Sequence, residues 1–191
     1  MATYPATPTP SQGISLESEY QTAIAGPYPG GQTVAVAMRQ YPLLTVSWGY
    51  KYLTASERES ILDFIKSQRG QAGVFVWRDW NLSAWTRLYV GTATASQTVF
   101  DLPFSSGTGI VIRKNGTTLT LTTHYTISLG TGTAGRDKLT LVTGATLGDI
   151  IEADASGNLV VNARLTSDSM PFTEQEAGFW SLGPVEIREV R

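Results

Sequence analysis

A single histidine, His124, is the first residue to ask for chemistry. A Ser-His-Asp triad would have to use it, because the imidazole is the usual proton shuttle between nucleophile and carboxylate. No G-x-S-x-G elbow accompanies it. It lies in Thr122-Thr123-His124-Tyr125, where a solvated turn histidine is expected. Asp149, Glu152 and Asp154 are close enough in sequence to crowd carboxylates around calcium. Their spacing does not match the twelve-residue calcium loop, and they are expected to face solvent at a strand end. With no cysteine and one histidine, zinc lacks its usual ligands. Paired carboxylates could cleave a glycosidic bond, but the chain's 16 acidic residues supply such pairs by chance. Gly30-Gly31, preceded by Pro29, lacks a following Gly-Lys-Ser/Thr and reads as a turn, not a phosphate cradle. The densest unusual chemistry is aromatic. Trp77, Trp80 and Trp85 surround Asp79, and such rings serve a core, a subunit interface, or stacking on sugars or bases. These three are taken as candidate interface aromatics. No catalytic residue, metal ligand or cofactor site is assigned.

The elements that would hold these residues follow from composition and pattern. The chain has 191 residues, 41% hydrophobic and 16% charged, with net charge −2, so it can bury a core and is not of disordered type. Its 19 glycines, with abundant Thr, Ser and Val, favour short strands and tight turns. No run of Lys or Arg marks a nucleic-acid grip. The absence of cysteine fits assembly in a reducing cytoplasm. Met1-Ala2-Thr3-Tyr4-Pro5 has neither a basic nor an apolar leader region, and no apolar run nears the ~20 residues of a membrane span. A soluble, unexported protein is expected.

Residues 1–32, with Pro5, Pro8 and Pro10, predict an extended, poorly packed arm. Val34, Val36 and Met38 alternate with alanines. Leu44, Val46, Trp48 and Tyr50 alternate with Thr45, Ser47 and Gly49. Both read as half-buried strands. Thr54-Ala55-Ser56-Glu57 is a capping box, and Ile61, Leu62, Phe64 and Ile65 fall within an arc of about 160°. Glu57 and Glu59 suit the helix N-terminus, Lys66 and Arg69 its C-terminus, and Gly70 its stop. One apolar stripe predicts packing on a sheet.

Val74-Phe75-Val76-Trp77 reads as a strand. Beyond about Leu88 the texture turns to short strands: Phe100 with Leu102, Ile110 with Ile112, then the type I′ signal Asn115-Gly116. Leu119 and Leu121 would be its return strand. Tyr125, Ile127 and Leu129 follow, then Leu139 and Leu141, and a last strand from Gly148-Asp149. Leu159, Val161, Ala163, Val185, Ile187 and Val190 resume longer patterns. The predicted fold is mainly β: a first domain (1–88 and 157–191) whose one α-helix packs on a sheet, interrupted by a small all-β inserted domain (89–156).

One stretch carries a resemblance: Tyr50-Lys51-Tyr52-Leu53, Thr54-Ala55-Ser56-Glu57, Ile61-Leu62-Asp63-Phe64, Gln68-Arg69-Gly70 and Val74-Phe75-Val76-Trp77-Arg78-Asp79-Trp80. It resembles the distal tail proteins of long-tailed phages and gene-transfer agents, with a core like the lambda minor tail protein M family. Glu19-Tyr20-Gln21-Thr22-Ala23-Ile24, Arg39 and Trp48 sit where those proteins carry related patterns. Thr98-Val99-Phe100-Asp101-Leu102, Ile112-Arg113-Lys114-Asn115-Gly116 and Tyr125-Thr126-Ile127 are similar to β modules inserted in phage tail parts. Ala163-Arg164-Leu165-Thr166-Ser167-Asp168 is similar to a Val-Arg-Phe-x-x-Asp step, departing at Ala163 and Leu165. Val185-Glu186-Ile187-Arg188-Glu189 is similar to the family's closing segment.

The resemblance implies a β-sandwich-like core with one packed α-helix, in a non-enzymatic baseplate part of the virion's tail tip, assembled in the host cytoplasm. It implies a homo-oligomer, a hexameric ring adaptor joining tail tube protein to baseplate hub protein and tail fibres, with DNA met only as it passes the lumen. Two other readings stay open. One is a carbohydrate-binding receptor-recognition module resting on 89–156 and exposed aromatics such as Tyr125, with host glycans as partner. The other is a further tail ring component such as a terminator. A cell-wall hydrolase is the enzymatic rival.

Overall fold

The computed structural model describes residues 1–20, 22–25, 34–37, 41–81 and 83–191. Gln21, Pro29, Gly30, Gly31, Met38 and Arg39, used above, lie outside the described residues. In chain order the elements are β1 (Ala2–Thr3), β2 (Gln12–Glu19), β3 (Thr22–Ala25), β4 (Val34–Ala37), β5 (Leu43–Leu53) and α1 (Ala55–Gln68). Then come β6 (Phe75–Arg78), β7 (Ser83–Thr92), β8 (Gln97–Asp101), β9 (Phe104–Lys114), β10 (Thr117–Thr118), β11 (Tyr125–Ser128), β12 (Lys138–Ala145) and β13 (Ile150–Leu165). The chain closes with β14 (Phe172–Glu176) and β15 (Phe179–Glu189). The fold is mainly β with one α-helix, as the alternating patterns predict. It divides into two compact units, Met1–Phe75 with Asn162–Arg191, and Val76–Val161.

In the first unit β5 is flanked by β2 and β15, both antiparallel, with Leu16 opposite Val46 and Val46 opposite Ile187. β14 and the end of β13 also pair with β15, and β3 pairs with β4. Leu44, Val46, Trp48 and Tyr50 all turn inward, as the period-two pattern demands. The N-terminal segment departs from the expected loose arm. β2 lies along β5, and Tyr4 is buried edge-on to Trp48 and Phe64, with ring centroids 5.2 and 5.0 Å away. Its hydroxyl is 3.2 Å from that of Tyr50, which also accepts the Trp48 Nε1–H at 3.0 Å. Burial pushes the Tyr4 phenol well above its ordinary pKa.

Helix α1 starts where the capping box places it. The Thr54 hydroxyl accepts the Glu57 N–H at 3.3 Å, and the Glu57 carboxylate accepts the Thr54 N–H at 2.9 Å. Arg69 takes the left-handed cap conformation (φ 54°), followed by Gly70 (φ 64°). The helix buries Ile61, Phe64 and Gln68, and the Arg58 guanidinium lies 4.2 Å from the Trp180 ring centre on β15. Thr54→Ala removes the side-chain cap and is expected to cost about 1 kcal/mol, read as a lower urea midpoint of the helical signal.

The second unit is built on β13, whose residues from Ile150 to Gly157 pair with β7 and from Ile151 to Leu159 with β9. A three-stranded sheet, in the order β11-β12-β8, completes it. Phe100, Leu102, Phe104, Ile112, Leu139 and Ile151 fill its core. Asn115 (φ 50°) and Gly116 (φ 79°) make the expected tight turn. The return strand is shorter than predicted: β10 is Thr117–Thr118, and Leu121 is exposed. The unit also begins earlier and ends later than 89–156. β7 starts at Ser83 and pairs along β13, and β13 runs unbroken through Gly157 and Asn158, where the sequence suggested a break.

Candidate functional site

The aromatic step at the end of β6 combines an inner and an outer tryptophan. Trp77 is 0% exposed, so of the three candidate aromatics it serves the interior. Trp80 is half-buried and meets it edge-to-face, centroids 5.8 Å apart. Trp85, on β7 opposite Ala155, is half-buried too. Its indole N–H is withdrawn from solvent and meets no acceptor among the described residues.

Between Trp77 and Trp80, Asp79 is buried. Its Oδ1 accepts the Asn81 N–H at 3.0 Å, an Asx-turn that bends the chain out of β6. The Asp79 N–H donates to the Leu159 carbonyl at 2.8 Å, and its own carbonyl accepts the Asn158 side-chain amide at 3.2 Å. Burial raises the Asp79 pKa, partly opposed by the N–H groups of Asn81 and Trp80. The native state therefore holds this proton more tightly than the unfolded chain, and stability falls as pH rises from the ordinary carboxylate range through the raised value. Asp79→Asn keeps the Oδ1 acceptor and removes the buried charge. Its urea midpoint is expected to exceed wild type at neutral pH, the gap closing below the ordinary carboxylate range.

Asp149, Glu152 and Asp154 do not face solvent as expected. Asp149 and Glu152 are buried and Asp154 half-buried, and each has a cation: Lys114 Nζ at 3.5 Å, Arg87 at 3.1 Å and Arg113 at 2.5 Å respectively. Asp149 also accepts the Thr146 N–H and the Asn115 amide, both at 2.8 Å, and these hydrogen bonds hold its pKa down at about 2. Strand pairing of β13 with β7 and β9 places the opposite charges side by side. Among the described residues no cluster of three or more His, Cys, Asp or Glu could hold a metal. His124 is exposed in a turn, its Nδ1 accepting the Thr120 N–H at 3.0 Å. Tyr125, named as an exposed sugar platform, is 2% exposed. Its hydroxyl donates to the Ile110 carbonyl at 3.2 Å, because it occupies an inward position of β11.

A groove of about 480 Å³ opens in the second unit, and none of the candidate residues named from the sequence lines it. Its lining includes Arg78, Ser105, Ser106, Thr108, Leu129 and the glycines 107, 130 and 135. Behind it lies Asp137, 0% exposed, whose Oδ2 accepts the Gly107 N–H at 2.7 Å and Oδ1 the Gly130 N–H at 2.8 Å. A Cβ on Gly107 would meet Phe104 at 2.6 Å and Asp137 at 2.9 Å, so only glycine fits there. The one sequence-level signal for this groove is the glycine density around residues 105–109 and 130–135.

No protein-family model matches the chain, and no curated protein matches it either. Among the described residues no helix is long and apolar enough to cross a membrane, which leaves strand-built spans unaddressed.

Proposed function

We propose that the chain is a structural, non-enzymatic part of a phage tail tip, a distal-tail-type subunit whose hexameric ring joins the tail tube to the baseplate hub and fibres. The observation that carries this reading is the succession β5–α1–β6. Leu53, the capped helix and the Trp77–Trp80 step stand there in the order of the distal-tail resemblance, and the first unit is interrupted in sequence by a β unit between Phe75 and Asn162. The engagement of Asp149, Glu152 and Asp154 by arginine, lysine and asparagine also favours structural over catalytic use of those acids.

Rings form when head-to-tail contacts between copies close on themselves. Half-buried Trp80 and Trp85 are suited to such contacts, since interfaces are enriched in large aromatic side chains. A net charge of −2 suits a lumen through which DNA must slide without sticking. Native mass spectrometry of the purified chain over a range of concentrations tests the ring. A closed hexamer, reduced to smaller species by Trp80→Ala, is expected; a monomer at every concentration counts against it.

A further inference from the structure

We propose that the groove of the second unit binds a neutral, hydroxyl-rich ligand, a saccharide. This inference stands apart from the ring reading, and either can fail without the other. Three features that cost stability converge on one wall. The Ser105 side chain is buried, and its hydroxyl finds no hydrogen-bond partner among the described residues. Ser106 takes a left-handed backbone (φ 55°) without being glycine. Asp137 brings a buried carboxylate against the groove's glycines. Such costs tend to persist where a site needs them.

The accessible groups define the ligand. The Arg78 side chain is steered by the Ala134 carbonyl, which its Nη2 meets at 3.1 Å. Ser106 and Thr108 are exposed: the Ser106 hydroxyl can donate and accept, while the Thr108 hydroxyl, which donates to the Ser156 carbonyl at 3.4 Å, is left to accept. Leu129, 59% exposed, adds an apolar surface of the kind a sugar ring's C–H face covers. The volume falls in the range of small-molecule sites. Charge decides against an anion: the Asp137 carboxylate behind the wall offsets the Arg78 guanidinium and already takes the Gly107 and Gly130 N–H groups that could have cradled one. Hydroxyl groups, which accept from Arg78, exchange hydrogen bonds with Ser106 and donate to Thr108, suit what remains.

The test is an amide-shift titration of the full chain with glucose, galactose and N-acetylglucosamine, with glucuronate as the anionic comparator. At least one neutral sugar is expected to give saturable, millimolar shifts centred on Gly107, Thr108, Gly130 and Gly135. Arg78→Ala should weaken that binding about tenfold, the loss of one hydrogen bond from a charged donor. Leu147→Ala, exposed and outside the groove, should leave it unchanged. Three results would overturn the proposal: no saturable shifts with any neutral sugar, binding of glucuronate alone, or wild-type affinity in Arg78→Ala.

Discussion

Trp48→Ala is expected to destabilise the first unit by about 3–5 kcal/mol, the range for emptying a buried tryptophan site. Trp48 is 2% exposed at the centre of β5, and its ring is the one Tyr4 meets edge-on. Truncation opens a cavity beneath Tyr4 and also removes the Nε1–H that the Tyr50 hydroxyl accepts. A domain's whole stability is about 5–15 kcal/mol, so one substitution consumes a large share of it. Urea unfolding followed by far-ultraviolet circular dichroism reads the loss. Trp48→Phe, which keeps a ring but not the donor, should fall between the two. Because β2 and Tyr4 pack on the same strand, the variant should also expose the N-terminal segment to proteolysis. A loss below about 1 kcal/mol, the middle of the range for point mutants in general, would contradict the assignment of Trp48 as the keystone of this core.

The second large effect belongs to Asp137→Ala. The carboxylate joins the Ser105–Thr108 segment to the loop after β11 through the two glycine N–H groups. Gly107 is itself buried, so its N–H cannot turn to water when the acceptor is lost. Leaving it unpaired is expected to cost about 2–3 kcal/mol. Amide hydrogen exchange should localise the effect, with Gly107 and Gly130 losing protection while amides of β5 keep theirs. Asp137→Asn should recover part of the loss, since its one carbonyl oxygen can accept from only one side of the bridge without rearrangement. Unchanged exchange at Gly107 in Asp137→Ala would show that the segment is held by other means.

These two residues also mark where the sequence is legible. Trp48 belongs to a run whose period of two needs no knowledge of distant partners. The α1 start is equally local, because Thr54 and Glu57 satisfy each other's backbone within one turn. The Asn115-Gly116 turn is local as well. Tyr4 is different: its proline-rich surroundings suggest a loose arm, and its burial depends on Trp48 and Phe64, far along the chain. Gly157 and Asn158 fall where the sequence places the boundary between the inserted domain and the returning core. In the structure Gly157 admits a close approach of the Ser105 carbonyl, where a Cβ would sit 3.0 Å away, and Asn158 reaches Asp79, so both serve cross-strand contacts within one continuous β13. Asp149, Glu152 and Asp154 look solvent-facing in sequence because their cations come from β7 and β9, partners that only strand register supplies. Asp137 was invisible for the same reason, since Gly107 lies 30 residues away.

We propose that this chain is a ring subunit at a tail tip. Cryo-electron microscopy of particles assembled with this chain decides the matter. A hexameric ring of density between tail tube and hub, into which both β units can be placed, is expected. Particles whose tube-to-hub junction is complete without this chain would contradict it.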